Sequence, residues 1–184
     1  MEIRKIFRAV TCLSFFVLAS CEILEQEQWK PDYLVSVNEI IKYPRASQVE
    51  KEIPTVAGTT KWISTSPYLF SNSIEKIETI PNSTDKNFFD LKMKLSYRGK
   101  LMWNQLCADI SFKEMAFIVN DVLFRKLTPD MVRNEEGKDD IIIFALKLDP
   151  VTAKAIADAS EKNFKYFNPE DERRNKGDKT NKTL

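Results

Sequence analysis

The 184-residue chain contains no histidine, and that absence removes most of the reactions its other side chains could join. A Ser-His-Asp triad, a Cys-His pair and a histidine metal site all need an imidazole. No Gly-rich phosphate loop is present either. What remains is thiol and carboxylate chemistry. Cys107 stands at the end of a helical pattern with no base to activate it, so it is expected to be a small buried apolar residue rather than a nucleophile. In TPDMVRNEEGKDD, Glu135, Glu136, Asp139 and Asp140 offer oxygens to a hard cation. They lack the alternating ligand spacing and central glycine of a calcium loop, and the segment reads as a solvated, charged connection. Asp85 or Asp90 facing a carboxylate of that loop would be the remaining route to hydrolysis, but no spacing singles out such a pair. Trp62, Tyr68, Leu69 and Phe70 could stack on a ligand; aromatic residues more often fill a core, and that is the expectation here. No catalytic, metal-binding or cofactor-binding residue is assigned, and the chain is expected not to be an enzyme and to need no cofactor.

The N-terminus, MEIRKIFRAVTCLSFFVLASC, carries a different chemistry. Arg4, Lys5 and Arg8 precede an apolar run from Cys12 to Leu18, far shorter than the roughly 20 residues that span a bilayer, as in a secretory signal. Leu18-Ala19-Ser20-Cys21 then resembles the lipobox of bacterial lipoproteins, in which Cys21 receives lipid and becomes the first mature residue. Residues 1–20 are accordingly read as a signal peptide and Cys21 as the lipidation site. Cys12 leaves with the signal and Cys21 is modified, so Cys107 is left without a disulfide partner. Cleavage also removes three basic residues and one acidic residue, leaving 25 basic against 26 acidic and a net charge near −1. Nucleic acid is therefore not an expected partner. The expected location is the cell envelope, lipid-anchored on the extracytoplasmic side. Glu22, rather than aspartate, after Cys21 favours the outer membrane in a Gram-negative cell.

These residues sit in a chain that is 43% hydrophobic, enough for one domain of ordinary size. Residues 21–46 read as a tether that then docks, acidic in EILEQEQWKPD and more apolar in LVSVNEIIKYP. Ile53 to Trp62 looks like a hairpin turning at Gly58, followed by a strand and a Ser-Pro turn. Ile74, Ile77 and Ile80 fit either a helical turn or a strand, and Pro81 to Asn87 a polar loop. Phe89, Leu91, Met93 and Leu95 alternate with Asp90, Lys92, Lys94 and Ser96, predicting a half-buried strand with the second set wet. Ser96 is a helix N-cap, and Gly99, Met102, Trp103 and Leu106 line one helical face. Gly99 marks a close approach of helix and strand backbones. Met115 to Val119 predicts an interior strand, Asn120-Asp121 a tight turn, and Val122 to Leu127 the return strand. Ile141 to Leu148 is a further interior strand. Asp149-Pro150 starts a helix whose packing stripe is Ala153, Ile156, Ala157, Ser160, Phe164 and Phe167. Asp158 with Lys162 and Glu161 with Lys165 are expected as ion pairs on its wet side. Pro169 stops it, and residues 169–184 should form a disordered polar tail. The domain proper is thus 47–168, of α+β class, a small mixed or antiparallel sheet with two packing helices in a ferredoxin-like βαββ…βα arrangement.

The centre of this pattern carries a resemblance. Asp90-Leu91 with Leu95, then Arg98-Gly99 with Trp103, then Ala116 to Val122 (AFIVNDV), and later a strand running into a helix, together resemble the head part of the first periplasmic domain of the SecD/SecDF protein-export factors. The similarity runs from about Pro54 to Phe167. It departs from the family where IIIFALKLDP replaces a glycine-rich strand, where Asn-Asp replaces the usual turn, and where no transmembrane bundle follows. The resemblance implies a compact α+β head that contacts a protein or peptide, accessory to export and without a pumping role. A structural or surface lipoprotein that reuses the fold is the alternative, and a carboxylate-based hydrolase a further one.

Overall fold

All five residues of Met115–Val119 are buried, which requires cover on both faces of the strand they form. The computed structural model describes residues 29–45 and 48–169; the signal peptide, Cys21 and residues 170–184 lie outside the described residues. From Pro31 onward the elements are β1 (Val35–Glu39), β2 (Glu50–Pro54), β3 (Thr60–Ser64), β4 (Leu69–Phe70), a 3-10 turn (Ser71–Ser73), β5 (Ile74–Pro81), β6 (Phe89–Leu95) and α1 (Tyr97–Asp109). They continue with β7 (Met115–Val119), β8 (Val122–Leu127), a second 3-10 turn (Pro129–Met131), β9 (Val132–Asn134), β10 (Ile141–Leu148) and α2 (Pro150–Phe167). The expected α+β class holds, with antiparallel pairing and two helices. The strands are divided between two four-stranded sheets, ordered β4-β1-β7-β8 and β5-β6-β10-β9, and the hairpin β2-β3.

Both covers of β7 follow from this division. Met115, Phe117 and Val119 point into the main core with Val35, Val37, Leu91, Met93 and Phe144. Ala116 and Ile118, one residue out of phase, face the other way and pack under the hairpin with Ile53, Ile63 and Leu123. Asn120 and Asp121 adopt φ of 48° and 60°, the left-handed pair that a two-residue hairpin between β7 and β8 requires.

β1 lies inside the segment read from sequence as a tether. It is an interior strand, paired with β7 from Val35↔Val119 to Glu39↔Met115 and with β4 on its other side. Asn120 fixes its start, accepting from Leu34 N at 2.8 Å, and Asn163 donates to Asp32 O at 2.7 Å. The folded body therefore begins well before residue 47.

β5, left open as helical turn or strand, is an edge strand closed against further pairing. Ile77 N–H points away from β6 and donates to Ser160 Oγ at 3.0 Å. In the two-residue period of a strand Thr79 and Pro81 point the same way, and Pro81 has no N–H to offer. Ser160 belongs to the expected α2 stripe for this polar reason. In that stripe Ala153, Ile156 and Ser160 are buried together with Asn163, whereas Ala157, Phe164 and Phe167 are half-buried. The ion pairs on the wet side differ from expectation: Asp158 reaches Lys154 at 2.7 Å, one turn earlier, and Glu161 faces Lys76 of β5 at 3.9 Å.

Candidate functional site

Four of the carboxylates singled out in the sequence, Asp85, Asp90, Glu135 and Asp139, make internal contacts. Asp90, expected on the wet face of β6, is buried. Both its oxygens accept from Asn82 Nδ2 at 2.9 Å, and Oδ1 also accepts from Lys147 N at 3.2 Å. It is buried because β10 bulges beside it: the register breaks between Phe144 and Leu148, and Lys147 sits at φ 49°. Asp85 caps its own loop, accepting from Asn87 N. Neither faces the 128–140 segment. That segment is in part ordered as the second 3-10 turn and β9, which pairs with β10. Glu135 there meets Lys92 at 2.9 Å and Asp139 meets Lys100 at 2.7 Å. These pairs tie the connection to β6 and α1.

Cys107 is exposed, contrary to the expectation of burial. The buried face of α1 carries Gly99, Trp103 and Leu106, and the next residue is rotated about 100° away from Leu106 toward solvent. Desolvation by partial burial nevertheless pushes its thiol pKa up, the opposite of what a nucleophile needs.

The aromatic cluster behaves differently. Leu69 is fully buried, Tyr68 is 9% exposed, and Trp62 and Phe70 are half-buried. Tyr68 and Phe70 also wall a surface cleft between residues 65–73 and α1. One lobe, about 380 Å³, reaches Asn72 and Arg98; a second, about 230 Å³, reaches Gln105 and Glu39. The lobes share Ser66, Pro67, Tyr68 and Met102, which makes them one groove alongside α1. Pro67, Tyr68 and Met102 lie in it among polar side chains such as Ser66, Asn72 and Gln105, with Arg98 in one lobe and Glu39 in the other. The helix wall is set by Ser96, which accepts from Gly99 N at 3.2 Å as the expected N-cap. Met102, on the flank of the buried stripe, is thereby turned into the groove rather than fully into the core.

At the Gln105 end a polar network closes the groove. Tyr68 Oη donates to Asp109 Oδ2 at 2.5 Å, and Lys113 Nζ donates to Tyr68 Oη at 2.9 Å. Lys113 also lies 3.1 Å from Glu39 and 3.3 Å from Asp109. The Tyr68 hydroxyl holds the Asp109 carboxyl below its usual range. Burial raises Tyr68, and its hydroxyl together with Glu39 raises Lys113 well above an ordinary lysine. The network thus sets two carboxyl groups, Glu39 and Asp109, against the single Lys113 amine, with the Tyr68 hydroxyl bridging Lys113 and Asp109. Arg98, at the other end, is exposed and makes no ion pair among the described residues. Sequence reading found the aromatic wall but not Glu39, Arg98 or the Tyr68–Lys113 link, because Tyr68 and Lys113 are 45 residues apart.

A larger polar cleft, about 680 Å³, separates β5 from α2. Its rim is occupied by the pairs of Lys76 with Glu78 at 3.0 Å and with Glu161.

The acid response of the body follows from these pairs. Glu78 beside Lys76, Asp109 beside Tyr68, Glu114 beside Lys126, Glu135 beside Lys92, Asp139 beside Lys100 and Asp149 on Thr152 N–H are all held below their ordinary values. Each binds a proton more weakly folded than unfolded, so stability is present above the unfolded values and is lost as pH falls through the folded ones. Urea midpoints should agree at pH 7 and 5.5 and drop at pH 3. An equal midpoint at pH 3 would show that the pairs contribute nothing.

No protein-family model matches the chain, and no curated protein matches its sequence. Among solved structures, similarity is found to one described as "Structure and function of a membrane component SecDF that enhances protein export", at 10% identity and a TM-score of 0.47 over 71% of this chain. A second, SecDF in a super-membrane-facing form, is similar at 7% identity and a TM-score of 0.45 over 73% of this chain. The chain spans 63% and 19% of the lengths of those two proteins.

Proposed function

We propose that the chain is a non-catalytic, lipid-anchored protein of a bacterial cell envelope whose α+β body binds a protein or peptide, in a role accessory to protein export. The observation that carries the binding reading is the groove beside α1. It is an open cleft of mixed lining, with Pro67, Tyr68, Phe70 and Met102 among polar side chains, whereas Asp90, Glu135 and Asp139, which might have served catalysis, are taken up in internal contacts. The anchoring reading rests on Leu18-Ala19-Ser20-Cys21, with Glu22 favouring the outer membrane of a Gram-negative cell. The export role rests on the sequence resemblance of Asp90 to Val122 to the SecD/SecDF head.

Site-specific photo-crosslinking in cells from Met102 tests the binding reading. Adducts with translocating chains or export components support it; adducts with envelope-scaffold proteins alone favour a structural lipoprotein instead. Anchoring is tested separately. One acyl chain gives marginal membrane binding whereas two or more anchor stably, and bacterial lipidation supplies several. No described helix is long and apolar enough to cross a membrane. Cys21→Ala should therefore abolish detergent-phase partitioning. The variant is left soluble or as an unprocessed precursor, and the isolated 22–184 fragment should remain in the aqueous phase; its retention in membranes after a high-salt wash would reveal a second membrane contact and overturn the single-anchor reading.

A further inference from the structure

We infer that the outer face of α1 is a self-association surface, on which a second copy of this chain packs its own α1 antiparallel across a two-fold axis. The inference stands apart from the binding reading above, which concerns the groove along the flank of the helix. At about 100° per residue, Asn104, Tyr97, Ala108, Leu101 and Gln105 fall within one sector about 100° wide, opposite the buried Gly99, Trp103 and Leu106. Phe112 follows in the turn beyond them, where its N–H donates to Asp109 O. Tyr97, Leu101 and Phe112 are 79%, 55% and 89% exposed, and Asn104, Gln105 and Ala108 are exposed as well. The sector holds no charged residue, in a chain that is 30% charged. On α2, by contrast, the outward positions carry Lys154, Asp158, Glu161, Lys162 and Lys165.

The order of residues along the sector identifies the occupant. With the axis between Asn104 and Gln105, Tyr97 meets Phe112 of the second copy, Leu101 meets its Ala108, and Asn104 meets its Gln105. Ring thus faces ring and a large side chain faces a small one. The central amides, each both donor and acceptor, satisfy one another, whereas an apolar partner would bury them unpaired. Charge complementarity fixes the direction. An antiparallel two-fold pair brings like flanks together, and Arg98 and Asp109 lie on the same flank of the sector. Asp109 of the second copy then stands two residues, about 3 Å along the helix, from Arg98. Arg98 makes no ion pair among the described residues. Asp109 Oδ2 is taken by Tyr68 and Lys113, which leaves Oδ1 for an incoming guanidinium. Parallel packing would instead set Arg98 beside Lys100 of the second copy. Contact between two 13-residue helices is small against the roughly 800 Å² per partner of a standard interface, so the association is weak in dilute solution.

The test therefore traps the register covalently. Cells express the full-length protein in a Cys107→Ser background, added cysteines are oxidised with copper phenanthroline, and dimers are read by non-reducing electrophoresis. Leu101→Cys co-expressed with Ala108→Cys should give several-fold more disulfide-linked dimer than either variant alone. In this register Leu101 and Leu101 of the second copy are about 10 Å apart along the helices, beyond the reach of a disulfide, and the same holds for the two Ala108 positions. Arg98→Glu sets carboxylate against carboxylate and should lower the yield of the mixed pair several-fold. That variant should fold, because a carboxylate in the first turn of a helix is favourable; circular dichroism checks this. A mixed pair that gives no more dimer than its members alone, or a yield that Arg98→Glu leaves unchanged, would overturn the inference. So would a photo-crosslinker at Leu101 that forms adducts with other proteins or with lipid and none with a second copy. Partners crosslinked from Met102 in cells would, in that event, leave the binding reading standing.

Discussion

Gly99→Val is expected to cost several times the roughly 1 kcal/mol that separates good from poor helix formers. The reason lies in what a side chain at this position meets. A Cβ built on Gly99 falls 2.3 Å from the Ser73 carbonyl oxygen and 3.1 Å from Leu95 Cβ. The Ser73 oxygen is not free to retreat, since it accepts from Ser96 N at 3.0 Å and Ser96 Oγ at 3.2 Å, the residue that caps α1. Relief therefore requires either the cap or the seating of the helix to give way. Even Gly99→Ala, which on propensity alone would stabilise the helix, should destabilise; overpacked sites typically lose about 1–3 kcal/mol or more. Valine adds two methyl groups to the same clash. Urea unfolding with the slope held constant decides it, and an alanine variant with an unchanged or higher midpoint would sink the argument.

Gly99 also shows where sequence reading succeeds and where it stops. A glycine inside an otherwise good helical pattern announces a close approach, and the approach is there. Its partner is the 3-10 turn at Ser73 rather than a strand, because that turn is defined by contacts more than 20 residues away. The same division holds elsewhere. Ser96, Asp149-Pro150, Asn120-Asp121 and the alternation of Leu91, Met93 and Leu95 are local signals, and each appears as expected. β1 was hidden because its alternation of Val35 and Val37 with Ser36 and Asn38 is brief, and only the doubly covered β7 beside it makes it interior. Asp90 carried the sequence mark of a wet residue; a bulge in β10, which no local pattern announces, turned it inward. In the groove, Tyr68 was visible as an aromatic, but its bond to Lys113, the salt bridge to Glu39 and the exposed Arg98 arise only once two distant segments meet. Local chemistry was legible, and the pairing of distant polar groups was not.

Trp103→Ala is expected to be the most damaging truncation on α1, by about 3–5 kcal/mol, the range for removing a large buried aromatic side chain. Trp103 is 2% exposed and is among the largest fully buried side chains of the body. Its ring meets Phe144 edge-on at 5.9 Å, an arrangement that adds to simple burial. Its Nε1–H donates to Asn134 Oδ1 at 2.6 Å, so one side chain ties α1, β10 and β9 together. The two contributions separate experimentally. Asn134→Ala keeps the packing but leaves the indole N–H without its partner, which should cost about 1–3 kcal/mol. Trp103→Phe removes the donor and part of the volume together and should fall between the two. In the Trp103→Ala background, Asn134→Ala should have almost no further effect, because the donor is already gone. Chemical denaturation of the four variants gives the cycle. If Asn134→Ala costs as much without the indole as with it, the hydrogen bond contributes nothing and the 128–140 segment is held by the β9–β10 pairing and the Lys92–Glu135 and Lys100–Asp139 pairs.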